Sequence, residues 1–184
     1  MRFTCEKALL VNGLSIASRT VAQKSSIAGL EGIYVHAGEK LYLSGYNLET
    51  AITVTVDADI PEKGKCIMPA RLFFDIIRKL PDDHVTVTVD ESYKVSIRSG
   101  IAAFTITATS AEDYPELPDV EFTNAIKMPQ REMRELISGT IFAVSENQGR
   151  PIHTGVKFEV ENDKISAIAV DGFRLARKTY HTEE

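Results

Sequence analysis

The chain has 184 residues, 43% hydrophobic and 26% charged, a composition that excludes a disordered or fibrous protein and leaves room for one large domain or two small ones. Its 21 Lys plus Arg stand against 26 Asp plus Glu, so the net charge of −5 excludes a grip on nucleic acid by bulk positive charge and confines any DNA contact to something local or weak. Two cysteines, Cys5 and Cys66, are too few for a disulfide scaffold, and four scattered histidines lack metal-site spacing, which excludes a secreted mini-protein and a zinc module.

In chain order, RFTCE opens as a strand and residues 8–21 carry Leu10, Leu14, Ala17 and Val21 on one helical stripe, with Gly13 as a weak point. Alternating runs at 33–36, 40–43 and 51–56 then predict three antiparallel strands. A second pass starts at Cys66-Ile67-Met68, where Pro69 can open a helix because its missing amide donor would be unsatisfied there anyway. Phe73, Ile76, Ile77 and Leu80 form its buried stripe, and strands follow at 85–89, 94–98 and 103–107. A third pass begins with a strand at 126–128: Met128-Pro129-Gln130-Arg131 matches Met68-Pro69-Ala70-Arg71 at an offset of 60 residues. Its helix stripe is Met133, Leu136, Ile137, Thr140 and Ile141, and its strands fall at 155–160, 164–169 and 174–180. Gly38, Gly45, Gly100 and Gly172 read as hairpin glycines.

Three copies of one β-α-β-β-β unit therefore account for most of the chain, and the fold class is α+β. One helix cannot cover a whole sheet face, so two units should pair into a domain. The acidic, proline-bearing stretch 111–124 has the composition of a domain border, giving a first domain over 1–120 and half of a second over 121–184. That half-domain should be only half covered. No stretch reaches the ~20 apolar residues of a membrane span, and no basic patch and apolar core mark a signal peptide, so a cytoplasmic location is expected.

MRFTCEKALL at the start, MPARLFFDIIRKLP, the IRSG turn, the EDYPELP border and AVDGFRLA occur in the order and at the spacing of one family. The sequence resembles the bacterial sliding clamp, the beta subunit of DNA polymerase III, over essentially its whole length. The resemblance implies a clamp fold, with antiparallel sheets outside and helices on the inner face. It also implies a homodimeric ring of three-domain subunits around duplex DNA, of which this chain is an amino-terminal fragment. The implied function is a processivity factor in DNA replication. The implied partners are sequence-independent double-stranded DNA, the alpha subunit of DNA polymerase III, the clamp loader and other proteins with a clamp-binding motif.

Arg71 and Arg78 lie seven residues apart, within about 20° of one another on a helix, and with Lys79 they make a basic strip; Arg131 and Arg134 hold related positions on the third-unit helix. By pattern alone such a strip is a solvated polar face. The resemblance assigns DNA contact to Lys24, Arg71 and Arg78 and to the loop with Asn147, Gln148 and Arg150; the helical pattern adds Lys79, Arg131 and Arg134 as DNA-facing candidates. It assigns a peptide-docking pocket to His153, Thr154, Val170, Gly172, Phe173, Arg174 and Leu175, although Asp171-Gly172 is also an ordinary turn signal. His153 departs from the apolar residue that many members carry. Arg98 falls at the expected subunit interface.

No catalytic residue is expected. Asp82-Asp83 and Asp90-Glu91 sit at polar turns, no nucleophile and base share a motif, and no phosphate-binding glycine fingerprint is present. No cofactor or metal is expected either, and the chain should act as an accessory subunit rather than transfer nucleotides. The competing reading is a peptide-docking or weak DNA-binding module that never forms a ring.

Overall fold

A short leading strand can satisfy its backbone only against another strand, and the first two repeats solve this by exchange. A computed structural model of the chain describes residues 1–117 and 126–182. It divides into two units, Met1–Asp119 and Val120–Glu184. The first holds β1 (Arg2–Glu6), α1 (Lys7–Ala17), β2 (Gly32–Ala37), β3 (Leu41–Tyr46), β4 (Ala51–Val56) and β5 (Asp59–Glu62). It continues with β6 (Gly64–Pro69), α2 (Ala70–Lys79), β7 (His84–Val89), β8 (Lys94–Ser99) and β9 (Ala102–Thr107). The second holds α3 (Gln130–Ser138), β10 (Lys157–Glu161), β11 (Lys164–Val170) and β12 (Leu175–His181).

The sheets run β5-β1-β7-β8-β9, β4-β3-β2-β6 and β10-β11-β12. Each leading strand of the first unit thus pairs in the other repeat's sheet. β1 lies antiparallel to β7, with Phe3 opposite Val87, and β6 lies antiparallel to β2, with Met68 opposite Ile33. The register of the last two strands recurs in every repeat, placing Ser44 opposite Thr53, Ser96 opposite Thr105 and Ser166 opposite Thr179. The first and third pairs are hydrogen-bonded through their hydroxyls at 2.8 and 2.9 Å.

Helices α1 and α2 pack against each other and, with strands of both sheets of the first unit, share one core that includes Phe3, Leu10, Leu14, Ile33, Leu43, Met68, Phe73, Ile77, Val87 and Ile97. Each such side chain contributes roughly 1.5–3 kcal/mol through burial. Lys7 ties the repeats further: its Nζ donates to the Leu80 carbonyl at 2.6 Å, satisfying the C-terminal end of α2, and its backbone N–H donates to the Asp83 carbonyl at 2.7 Å.

Several expectations need correction. The first helix ends at Ala17 rather than 21, passing into a short 3₁₀ turn; Val21 reaches the core from extended backbone instead. Gly13 is required rather than a weak point, since a Cβ there would lie 2.8 Å from Val56 Cγ2 and 3.0 Å from Leu43 Cδ1. Gly45 is no turn residue: it lies within β3, where a Cβ would collide with the Ala17 carbonyl oxygen. Ile76 is half-buried against the core, whereas Phe73, Ile77 and Leu80 are buried. β5, which carries Pro61, was not expected and forms the edge beside β1.

Among the described residues the third repeat shows no leading strand: residues 126–129 form none, and residues 155 and 156 precede β10 rather than joining it. No second repeat stands beside it among the described residues to supply a pairing edge. The small core is Leu136, Ile165 and Ala167, flanked by Met128, Val156 and Tyr180. Leu136 and Thr140 are buried, while Met133, Ile137 and Ile141 remain 36, 37 and 51% exposed.

Candidate functional site

Because Phe73 and Ile77 turn one face of α2 into the core, Arg71, Arg78 and Lys79 are left on its exposed surface. Arg78 is not free-standing. Its Nη2 donates to Asp75 Oδ1 at 3.2 Å, one helical turn back, and its guanidinium carbon lies 5.8 Å from the centre of the Phe74 ring. Arg71 lines a surface concavity with Glu31, Ala70 and Asp75. Lys79 sits in the last turn, where a cation also complements the helix dipole. Lys24 is exposed on the stretch between α1 and β2.

An arginine is paired with a carboxylate on α3 as well, in a different geometry. Arg131 Nε donates to Glu135 Oε1 at 3.3 Å, and Lys178 from β12 donates to Glu135 Oε2 at 3.2 Å. These two cations hold the Glu135 carboxyl below the usual carboxylate range, Lys178 contributing the larger effect. Arg134 is exposed and shares a concavity with Arg131, Met133 and Ile137. In the following loop Asn147 organises a turn: its side-chain oxygen accepts from the Gly149 N–H at 2.9 Å, and its carbonyl accepts from the Arg150 N–H at 3.2 Å. Asn147, Gln148 and Arg150 are exposed.

The β11–β12 turn is built by Asp171. Its Oδ1 accepts from the backbone N–H groups of Phe173 and Arg174 at 2.9 and 3.0 Å, which holds its carboxyl below the usual range. Gly172 adopts φ +94°, a left-handed conformation that disfavours a side chain. Arg174 Nε donates to Asp171 Oδ2 at 2.8 Å, so that guanidinium is already pinned by its own turn. Val170 lies opposite Leu175, and Phe173 and Leu175 are 100 and 66% exposed. His153 and Thr154 lie on a 3₁₀ turn before β10, and His153 Nδ1 is buried without a hydrogen-bond partner.

Arg98 lies on β8 in a polar concavity with Asp82, His84 and Ser99. The sheet edge at β9 exposes Ile101 and Phe104. Burial pushes the Cys5 and Cys66 thiols up to about 12, which leaves them protonated and unreactive near neutral pH. Among the described residues no group of three His, Cys, Asp or Glu side chains could hold a metal ion, and no helix is long and apolar enough to cross a membrane.

The structure thus places Arg71, Arg78 and Lys79 on α2 and Arg131 and Arg134 on α3, leaves Lys24 and Arg150 on non-helical stretches, and brings Val170, Phe173 and Leu175 to one turn. The acidic partners Asp75 and Glu135 and the supporting Phe74 were missed by the sequence reading, although their three- and four-residue spacing from Arg78 and Arg131 was there to be read.

Comparison with known proteins points one way. The family model described as "DNA polymerase III beta subunit, N-terminal domain" matches residues 1–118, and that described as "DNA polymerase III beta subunit, central domain" matches residues 127–184. The beta sliding clamp of Bacillus subtilis (strain 168) is 33% identical over 185 residues, covering 96% of this chain and 49% of the relative. A solved structure of a putative DNA polymerase III beta subunit from Eubacterium rectale superposes with a TM-score of 0.95 at 32% identity, covering 100% of this chain and 51% of that one. A sliding clamp from Bartonella birtlesii, solved bound to griselimycin, gives a TM-score of 0.90 at 28% identity, covering 100% and 50%. The chain spans about half the length of the curated relatives it matches.

Proposed function

The chain belongs to the DNA polymerase III beta-subunit family, and from that premise we propose that it forms one arc of a sliding clamp, an accessory protein of DNA replication without catalysis of its own. On this reading residues 1–120 are one clamp domain and 121–184 the first half of the next. Duplex DNA is held without regard to sequence by Lys24, Arg71, Arg78, Lys79, Arg131 and Arg134 on and beside the helices and by Asn147, Gln148 and Arg150 on the loop. The observation that supports the reading is the repeated basic strip: α2 packs Phe73 and Ile77, and α3 packs Leu136, into the core of its unit, and both leave arginines exposed.

Such a clamp works by topology. A protein that neutralises many phosphates loses mobility because each contact adds to a steep salt-dependent affinity, whereas a closed ring with a few weak contacts slides without dissociating. The net charge of −5 is compatible with that, since only the lining needs to be basic.

The second proposed surface is the turn bearing Val170, Gly172, Phe173, Arg174 and Leu175, with His153 and Thr154, as part of a pocket for the short peptide motifs of the polymerase alpha subunit, the clamp loader and other clamp-binding proteins. Exposed apolar Phe173 and Leu175 offer the contact area and Gly172 keeps the turn open. The relative from Bartonella birtlesii, which carries griselimycin, supports a ligand-taking clamp. Arg98 and the exposed β9 edge are proposed to meet the neighbouring subunit of a homodimeric ring in the cytoplasm.

Primer extension on circular DNA with clamp loader and polymerase tests the ring. These 184 residues alone should leave synthesis distributive, because half a subunit cannot close around DNA; processive products from them alone would overturn encirclement as the mechanism.

A further inference from the structure

Asp75 and Glu135 stand 60 residues apart, the same offset that relates Met68-Pro69 to Met128-Pro129, so they occupy one position of the repeat. Each holds an arginine of the proposed DNA-facing strip. Asp75 pairs with Arg78, one turn later, at 3.2 Å; Glu135 pairs with Arg131, one turn earlier, at 3.3 Å. The geometry differs while the outcome is the same, a carboxylate beside a guanidinium in both units. Glu135 carries a second cation, Lys178, at 3.2 Å, and the Arg78 guanidinium also lies over the Phe74 ring. All four paired side chains remain at least 40% exposed, so a phosphate can reach the arginines and water screens the pairs.

We propose that Asp75 and Glu135 are positioning residues that compete with DNA phosphates for Arg78 and Arg131 and so keep the clamp's grip on duplex DNA weak. The inference rests on the DNA-facing reading of α2 and α3 given above. A guanidinium on an unpaired site exchanges phosphate only for water when the protein moves along DNA. Beside a carboxylate it exchanges one oxyanion for another, because both present oxygens to the same donor fork. Leaving a phosphate is then partly compensated, and bound and moving states lie closer in free energy. Exposed helical pairs are weak, each equivalent to about a two-fold change in an equilibrium constant, which suits a contact that must break repeatedly.

The test uses the 184-residue chain and a fluorescent duplex, with anisotropy followed over a salt series. Asp75→Asn with Glu135→Gln is compared with Glu49→Gln plus Glu91→Gln, which removes the same charge from the β3–β4 and β7–β8 turns. The paired variant should bind at least about four-fold more tightly than this charge-matched control at low salt. Its slope of log affinity against log salt should be steeper by up to about 0.9 for each freed arginine. The conservative Asp75→Glu plus Glu135→Asp should return affinity toward the parent. Equal binding by the paired variant and its control overturns the tempering role. Arg78→Ala with Arg131→Ala separates the two readings: it should weaken binding, and unchanged binding would remove the DNA-facing assignment and the tempering role together.

Discussion

Helices α2 and α3 begin with the same Met-Pro-x-Arg pattern and carry related basic strips, yet their apolar faces fare differently. Phe73 and Ile77 on α2 are fully buried, whereas their repeat equivalents on α3, Met133 and Ile137, are 36 and 37% exposed. What separates them is a neighbour. In the first unit each repeat lends a leading strand to the other's sheet and the helices cover one another. In the second unit the described residues contain one repeat, and the surface that would meet a second is bare. Burial in this fold is therefore a property of the repeat pair, and the apolar pattern of a single repeat does not secure it.

Truncating both equivalent positions should separate the two helices most strongly. Phe73→Ala should destabilise the first unit by about 3–5 kcal/mol, and Met133→Ala should cost less, about 1–2 kcal/mol, because more than a third of that residue already faces water. Urea unfolding of both variants checks this, and equal losses would erase the distinction between paired and unpaired repeats. Next in size, Gly13→Ala should destabilise by about 1–3 kcal/mol despite the better helix propensity of alanine, since the added methyl meets Val56 and Leu43. A gain in melting temperature would show that the sheet can retreat from α1.

A smaller effect concerns the cysteines on the exchanged strands, Cys5 of β1 and Cys66 of β6. Their thiols have folded pKa values raised from 9.0 to about 12 by burial, so the unfolded chain ionises first. Their contribution to stability is complete below pH 9 and declines as pH rises from 9 toward about 12. Alkylation should be slow in the native chain and track unfolding; rapid native-state modification would mean that the exchanged strands open readily.

The repeats themselves were legible because helix and strand periodicities are local and the Met-Pro-x-Arg pattern recurs. Strand exchange was not, since alternation at Cys66 and Met68 shows that a strand exists and says nothing of its neighbour. The same blindness made 126–128 read as a strand, when Ile126 and Met128 have no partner edge among the described residues. β5 escaped because Pro61 and flanking acidic residues look like a turn, which an edge strand tolerates. At the candidate site the arginines stood out by spacing, while Asp75 and Glu135 merged into the expected solvated face; only the bond distances separate a paired carboxylate from a merely nearby one.

Whether the helices line a DNA path is decided by duplex binding of the chain with Arg71, Arg78, Arg131 and Arg134 all changed to alanine. Affinity should fall uniformly across unrelated DNA sequences, with a salt slope shallower by up to about 0.9 for each phosphate contact removed. Unchanged affinity, or a loss confined to one sequence, would contradict a basic helical lining that holds DNA without reading it.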